Sequence, residues 1–123
     1  MSIEETGTNT FTIIRFRDGD TVEGFIRCRC CQAATYATVR LAHLESWEPI
    51  GRESHKATET ARKLTEQYRG RTGILVPPKL RFDRYGRAIA DVILEGVGLT
   101  TLIVNAGLGW WGVGKPEPGN ICM

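Results

Sequence analysis

The first third of the chain carries short runs rich in apolar residues. The first, Phe11 to Phe16, is apolar with Thr12 and Arg15 inside it, and the second, Val22 to Cys30, alternates polar and apolar residues after the turn Asp18-Gly19-Asp20-Thr21. A third run lies at about Ala37 to Leu41, after the polar, alanine-rich segment Gln32 to Tyr36. Alternation with a period of two, bounded by turn residues, indicates strands. We therefore expect two strands joined by a tight turn, then a long hairpin loop and a third strand.

From Gly51 to Tyr68 the apolar positions recur every three or four residues. They are Ala57, Ala61, Leu64 and Tyr68, and charged residues fill most of the positions between them. This period is typical of an amphipathic helix with one face on the core. We expect the helix to end near Gly70, because glycine readily adopts the left-handed backbone that ends a helix.

The last third of the chain predicts two more strands and a short helix. A strand at Thr72 to Val76 precedes Pro77-Pro78, a strand at about Arg87 to Leu94 follows, and Leu99 to Ala106 forms a short helix. The order is then β-β-β-α-β-β-α, a mainly β fold of the α+β class. Five short strands, with a long helix between the third and fourth and a short helix after the fifth, match a five-stranded OB-fold barrel.

Length and composition indicate a single soluble domain spanning residues 1–123. We expect residues 1–10 to be a flexible N-terminus and residues 112–123, rich in Gly and Pro, to be an irregular tail. No apolar run approaches the roughly 18 residues that span a membrane, and residues 1–10 do not resemble a secretory signal, so a cytoplasmic location is expected. The net charge of +2 is small, so any contact with nucleic acid must come from local clusters such as Arg15 with Arg17, or Arg81, Arg84 and Arg87.

Three segments combine acidic residues with arginines. The first is the Asp18-Gly19-Asp20-Thr21 turn, the second is Val39 to Pro49, and the third is Asp83-Arg84-Tyr85-Gly86-Arg87. Carboxylates can hold a hard cation and guanidinium groups can clamp a phosphate. Together they are the groups that metal-assisted phosphodiester hydrolysis requires.

The order and spacing of these segments resemble the staphylococcal nuclease (thermonuclease) family, over most of the chain from about Phe11 to Trp111. The most specific match is Asp83-Arg84-Tyr85-Gly86-Arg87, which agrees with the family signature in full. The resemblance implies an OB-fold nuclease that hydrolyses DNA or RNA with Ca²⁺, or with Mg²⁺ or Mn²⁺. Its partner would be nucleic acid, with single strands favoured.

The resemblance also implies a metal site and a catalytic acid. Asp20 would bind the cation directly, and Asp18 would support Asp20 without contacting the cation. Glu45 and the backbone carbonyl of Ser46 would complete the protein ligands, and Glu48 would lie beside the attacking water.

The substrate groups follow from the same resemblance. Arg40 and Arg87 would bind the scissile phosphate, and Arg84 and Tyr85 would contact the terminal phosphate or the base of a nucleotide. Trp111 is a candidate platform for a stacked base, although packing on the barrel explains a tryptophan at this position equally well.

The chain departs from the family pattern at two positions and in its tail. Glu45 replaces an aspartate, Trp47 replaces a proline that stiffens the loop, and the C-terminal helix of the family has no counterpart in the sequence. The alternative function is therefore a weakened or inactive OB-fold module that binds nucleic acid or protein. In simpler interpretations, the Asp18 to Thr21 segment is only a turn, and Glu45 and Glu48 are solvated acids.

Three of the four cysteines are clustered. Cys28, Cys30 and Cys31 are close in sequence, and Cys122 is near the C-terminus. Four thiolates could form a zinc site, but the spacing is not the usual Cys-x-x-Cys. We therefore expect thiols without zinc or a disulfide.

Overall fold

The computed structural model describes residues 9–28, 33–48 and 50–112. The chain begins with an antiparallel meander of β1 (Asn9–Asp18), β2 (Thr21–Cys28) and β3 (Ala34–Leu41). The predicted hairpin loop at Gln32 to Tyr36 is wrong for its last three residues, which belong to β3. They are recruited into the strand by cross-strand pairing, which places Tyr36 directly opposite Phe25.

A two-residue strand, β4 (Leu44–Glu45), and a 3₁₀ turn at Gly51–Glu53 lead into the long helix α1 (Ser54–Tyr68). The predicted apolar face is buried, and Thr60 is buried with it. This face packs on β1, where the Phe16 backbone N–H donates a hydrogen bond to Thr65 Oγ1 at 2.8 Å. Gly70 follows with φ +85°, a left-handed conformation that costs glycine little.

The last two barrel strands are β5 (Thr72–Phe82) and β6 (Ala88–Leu94). The predicted end of β5 at Val76 is wrong, because the strand passes through Pro77-Pro78 to Phe82. The pairing with β6 is interrupted between Val76 and Arg81, so the prolines lie where no regular ladder hydrogen bonds are required.

The five long strands form a closed barrel. β1 pairs antiparallel with β2 and β5, β2 with β3, and β5 with β6. The parallel pairing of β3 with β6 closes the ring, through Val39 opposite Ala88, Arg40 opposite Ile89 and Leu41 opposite Ala90. This mainly β, α+β barrel with a helix between its third and fourth strands confirms the predicted OB-type architecture.

Short elements complete the chain after the barrel. They are β7 (Val97–Gly98), α2 (Leu99–Asn105), and β8 (Trp110–Trp111), which pairs antiparallel with β4. The core lies inside the barrel and under the two helices. Its fully buried side chains include Phe11, Ile13, Val22, Val39, Leu41, Leu64, Leu75, Val92, Leu99 and Ile103.

Several predictions concern the ends of the chain. Asn9 and Thr10, assigned to the flexible N-terminus, belong to β1. The structure does not describe residues 1–8 or residues 113–123 of the predicted tail. Three of the four cysteines, Cys30, Cys31 and Cys122, also lie outside the described residues.

Among the helices of the described ranges, none is long and apolar enough to cross a membrane.

Candidate active site

Three segments meet at one end of the barrel. Thr21, which opens β2, is paired with Arg40 near the end of β3, and Arg40 is in turn paired with Ile89 of β6. The β1–β2 turn, the segment after β3 and the loop before β6 therefore surround one cavity of about 290 Å³. Trp47 lines it, together with all seven residues predicted to bind the metal or act in catalysis: Asp18, Asp20, Arg40, Glu45, Ser46, Glu48 and Arg87.

The β1–β2 turn is held closely against the segment after β3. The Asp20 backbone N–H donates a hydrogen bond to Asp18 Oδ1 at 3.1 Å, and Thr21 Oγ1 donates to Asp20 Oδ1 at 3.1 Å. A Cβ atom at Gly19 would lie 1.9 Å from Ser46 Oγ. Only glycine allows this approach, so the aspartates lie beside Ser46 because residue 19 has no side chain.

The environment of Asp20 opposes its negative charge. Burial is the main factor that raises the pKa of Asp20 to about 7, and a hydrogen bond and the charge of Asp18 add to it. The charge of Arg40 and the hydroxyl of Thr21 act in the opposite direction. Burial, more than the neighbouring charge, thus disfavours the ionised form of Asp20, and a bound cation would favour that form.

Arg40 is fixed by backbone carbonyl groups on one side and by carboxylates on the other. Its Nη1 donates to the carbonyl oxygens of Leu41 and Leu44, both at 2.7 Å. Its Nη2 lies 3.6 Å from Asp20 Oδ2 and 3.5 Å from Glu45 Oε2. The guanidinium group therefore links the two carboxylates that were predicted to bind the metal.

Arg87 is positioned by a tight turn. Its Nε donates to Asp83 Oδ2 at 2.7 Å, while Asp83 Oδ1 accepts the backbone N–H groups of Tyr85 and Arg87, each at 2.9 Å. Burial alone would raise the pKa of Asp83, but these hydrogen bonds and the charge of Arg87 lower it. The terminal nitrogens of Arg87 extend to the cavity, with Nη1 3.5 Å from Thr21 Oγ1.

The segment that carries Glu45 and Glu48 is anchored to the end of the described chain. Glu45 pairs with Trp110, and the Trp47 ring packs edge-to-face on Trp110 with centroids 5.1 Å apart. Lys56 Nζ lies 4.5 Å from the centroid of the Trp47 ring. Trp47 therefore restrains this segment by packing.

Two further groups hold the same segment in place. Ser46 Oγ donates to the Leu108 carbonyl oxygen at 2.9 Å, and the Glu48 backbone N–H donates to Glu53 Oε1 at 3.0 Å. The Glu48 residue itself is exposed. Its carboxylate is thus accessible to solvent at the edge of the cavity, which is where a group that activates water is needed.

The residues predicted to contact a nucleotide, Arg84, Tyr85 and Trp111, lie in two different places. Tyr85 is 70% exposed and lines a second cavity of about 420 Å³ with Arg87, and the Arg84 guanidinium lies 5.2 Å from the Tyr85 ring centroid. Trp111 lies instead on β8, with Leu44 as its strand partner. Among the described residues, the lining of the 290 Å³ cavity includes Trp47 but not Trp111.

The oxygen donors suit a hard cation in their chemistry. Carboxylate oxygens of Asp20 and Glu45 and a carbonyl at Ser46 are ligands that calcium and magnesium prefer. No three His, Cys, Asp or Glu side chains converge on a metal position within the described residues, but a site of two carboxylates and one carbonyl needs no third acid. A cation between Asp20 and Glu45 would require Arg40 to move away from them.

The sequence motifs gave no role to Thr21 and Asp83, and Arg17 was named only as part of a local arginine cluster with Arg15. Thr21 contacts both Asp20 and Arg87, and Asp83 orients Arg87. Both residues lie inside the recognised motifs, so their positions were a usable signal. Arg17 lines the 420 Å³ cavity because it lies at the end of β1, and only the assembled barrel reveals that location.

The arrangement can hold an anion between two guanidinium groups, next to oxygen donors and an exposed carboxylate. Those groups can bind a phosphodiester, neutralise its charge and place a water molecule beside it. Comparison of the sequence with models of protein families and with curated proteins finds no match.

Proposed function

We propose that this protein is a divalent-cation-dependent nuclease of the staphylococcal nuclease type, which hydrolyses DNA or RNA and favours single strands. One observation carries the proposal. The seven residues assigned from three separate motifs line a single cavity at one end of an OB-type barrel. A set of acids and arginines that were only solvated surface residues would have no reason to converge on one cavity.

Arg40 and Arg87 would bind the phosphate. They come from β3 and from the turn before β6, and both reach the cavity. Each is already held by hydrogen bonds to the protein, Arg40 by two backbone carbonyls and Arg87 by Asp83. Arg87 is thus fixed before the reaction and can stabilise a developing anion without a reorganisation cost. Arg40 must first leave Asp20 and Glu45.

Asp20, Glu45 and the Ser46 carbonyl would hold the cation, with Asp18 supporting Asp20. When bound, the cation would polarise a phosphoryl oxygen and add positive charge to the cavity. Arg40 would then exchange its carboxylate partners for a phosphate oxygen. Glu48, exposed at the cavity edge, would accept a proton from the attacking water.

Cleavage assays on the purified protein test the proposal. Denatured DNA and RNA should be cut in the presence of Ca²⁺, Mg²⁺ or Mn²⁺, and a chelator should stop the reaction. A Glu48→Gln variant purified in parallel should be inactive, which excludes a contaminating nuclease. Complete inactivity of the wild type with all three ions on every substrate would show that the enzyme assignment is wrong.

A second candidate function is nucleic-acid binding without cleavage. The contact of Arg40 with both Asp20 and Glu45 favours it, because these internal ion pairs partly neutralise the proposed ligands. The longer Glu45 side chain, in place of the family's aspartate, also reaches Arg40. In this case the protein would bind single-stranded oligonucleotides but would release them uncut with every ion.

A further inference from the structure

We propose that a surface strip across β1, β2 and β3 binds the part of a single-stranded nucleic acid that extends beyond the cavity. The strip, named here the β1–β3 strip, consists of the exposed Arg15, Arg17, Phe25 and Tyr36 and the buried Glu23 that Arg15, Arg17 and Tyr36 contact. The inference rests on the proposed function, since it extends the substrate path of the same site. The sequence named Arg15 with Arg17 only as a local arginine cluster, and it assigned no role to Glu23, Phe25 and Tyr36.

The register of the strands places the strip on the same barrel face as Arg40. Side chains alternate along a strand, and on β3 the buried Val39 and Leu41 point inward. Arg40 and Tyr36 therefore share the outer face, about 13 Å apart at the usual rise per residue. On β2, Phe25 is opposite Tyr36 and is on the outer face as well.

Two aromatic rings are exposed at the far end of the strip. Phe25 is 42% exposed and Tyr36 is 53% exposed. Their rings are in an edge-to-face arrangement with centroids 5.9 Å apart. Exposed aromatic rings on the strands of an OB barrel can stack with unpaired bases, and such stacking tolerates any sequence because every base has a π-face.

Two arginines surround the buried Glu23, which lies on β2 between Phe25 and Thr21 and so between the rings and the 420 Å³ cavity. Tyr36 Oη is hydrogen-bonded to Glu23, and Glu23 forms ion pairs with Arg15 at 2.9 Å and Arg17 at 3.2 Å. Two arginines thus share one carboxylate, and their side chains are 58% and 57% exposed. The excess positive charge is complementary to a phosphate backbone.

Arg17 connects this charged region to the site. It lines the 420 Å³ cavity together with Asp18, Thr21, Tyr85 and Arg87. A strand whose phosphate is bound by Arg87 can therefore continue past Arg17 and reach the two rings without leaving the basic surface. A single nucleotide in the active-site cavity is too short to reach them.

Binding of fluorescein-labelled oligothymidylates, measured by anisotropy with a chelator present, tests the strip. Tyr36→Ala and Phe25→Ala should each weaken binding of the decanucleotide about tenfold, the scale of losing one stacked base. The loss for a dinucleotide should be much smaller. Tyr36→Phe, which keeps the ring and removes the bond to Glu23, should lose far less than Tyr36→Ala.

Val97→Ala is the matched control, because Val97 is 41% exposed on β7, away from the strip. It should retain wild-type affinity. If the wild type and Tyr36→Ala bound the decanucleotide with equal affinity, the inference would be wrong. It would also be wrong if Tyr36→Ala weakened binding of the dinucleotide and the decanucleotide equally. The absence of any decanucleotide binding by the wild type would also overturn it.

Cleavage of the same oligonucleotides with Ca²⁺, Mg²⁺ or Mn²⁺ separates this inference from the proposed function. A wild type that binds through Tyr36 but cuts nothing would support the strip and contradict the nuclease. A wild type that cuts the decanucleotide, with an affinity that Tyr36→Ala leaves unchanged, would support the nuclease and contradict the strip.

Discussion

At the scale of single residues, the candidate site depends on hydrogen bonds that fix its arginines in advance. Asp83 accepts three hydrogen bonds from the turn that carries Arg87, including one from Arg87 Nε. Arg40 is fixed by two carbonyl oxygens of its own segment. Side chains held this way lose little further entropy when they bind a ligand.

The resemblance of three motifs to the staphylococcal nuclease pattern was sufficient to predict which residues meet in the cavity. It was not sufficient to predict how the residues pair there. The contact of Arg40 with Asp20 and Glu45 joins three separate segments and depends on the folded geometry. The roles of Thr21 and Asp83 also became visible only through their hydrogen bonds.

Replacing Arg87 or Arg40 by alanine should lower the cleavage rate by about two orders of magnitude or more, the usual effect of removing one fixed charge at a developing anion. Arg87→Lys should remain strongly impaired, because lysine cannot form the forked contact. Arg69→Ala, at an exposed arginine after α1, is the control. Rates from single-turnover assays give the comparison, and full activity of Arg87→Ala would contradict the mechanism.

Replacing Glu45 by aspartate should raise the affinity for calcium and the calcium-supported rate. The shorter side chain restores the family's ligand length and weakens the contact with Arg40, which lies 3.5 Å from Glu45 Oε2. Titration calorimetry on wild type and variant measures the affinity directly. An unchanged calcium affinity would mean that Glu45 is not a ligand.

At the scale of elements, periodic segments were predictable and short or irregular ones were not. The apolar face of α1 and the alternation of β6 extend over enough residues to show a period. The strands β4 and β8 have two residues each and show no period. Their pairing brings Trp110 to Glu45, so the support of the site from the end of the chain was not predictable.

Replacing Leu64 by alanine should lower the free energy of unfolding by about 2–5 kcal/mol, because it leaves a cavity between α1 and the barrel. Leu64 is 1% exposed and belongs to the main core. Thr58→Ala, at an exposed position of the same helix, should change stability little. Urea denaturation monitored by tryptophan fluorescence gives both values, and equal stabilities would contradict the packing of α1.

At the scale of the whole molecule, acid stability is linked to Glu23. Burial raises the pKa of Glu23, but hydrogen bonds from Arg15 and Tyr36 and the charges of Arg15 and Arg17 outweigh it, so the pKa is lowered from its ordinary value of 4.5. A carboxylate with a lowered pKa in the folded state stabilises the protein above that ordinary value. The stabilisation is lost as the pH falls from 4.5 through the folded-state pKa.

Glu23→Gln should therefore reduce stability near neutral pH, and its difference from the wild type should shrink as the pH falls below 4.5. Glu66→Gln, at a side chain that is 67% exposed, should follow the wild-type profile. Urea midpoints measured across this pH range provide the test. A Glu23→Gln deficit that is constant with pH would show that titration of Glu23 is not involved.

The parallel pairing of β3 with β6 has a consequence for when Arg40 and Arg87 come together. Arg40 lies in this seam and Arg87 immediately precedes it, yet α1 and all of β5 separate them along the chain. Contacts between distant segments pay the largest loop-closure entropy and tend to form late. Under the proposed function, a chain whose meander has formed but whose β3–β6 pairing is still open would keep Arg40 and Arg87 apart and would be inactive. Cleavage would then report on closure of the barrel.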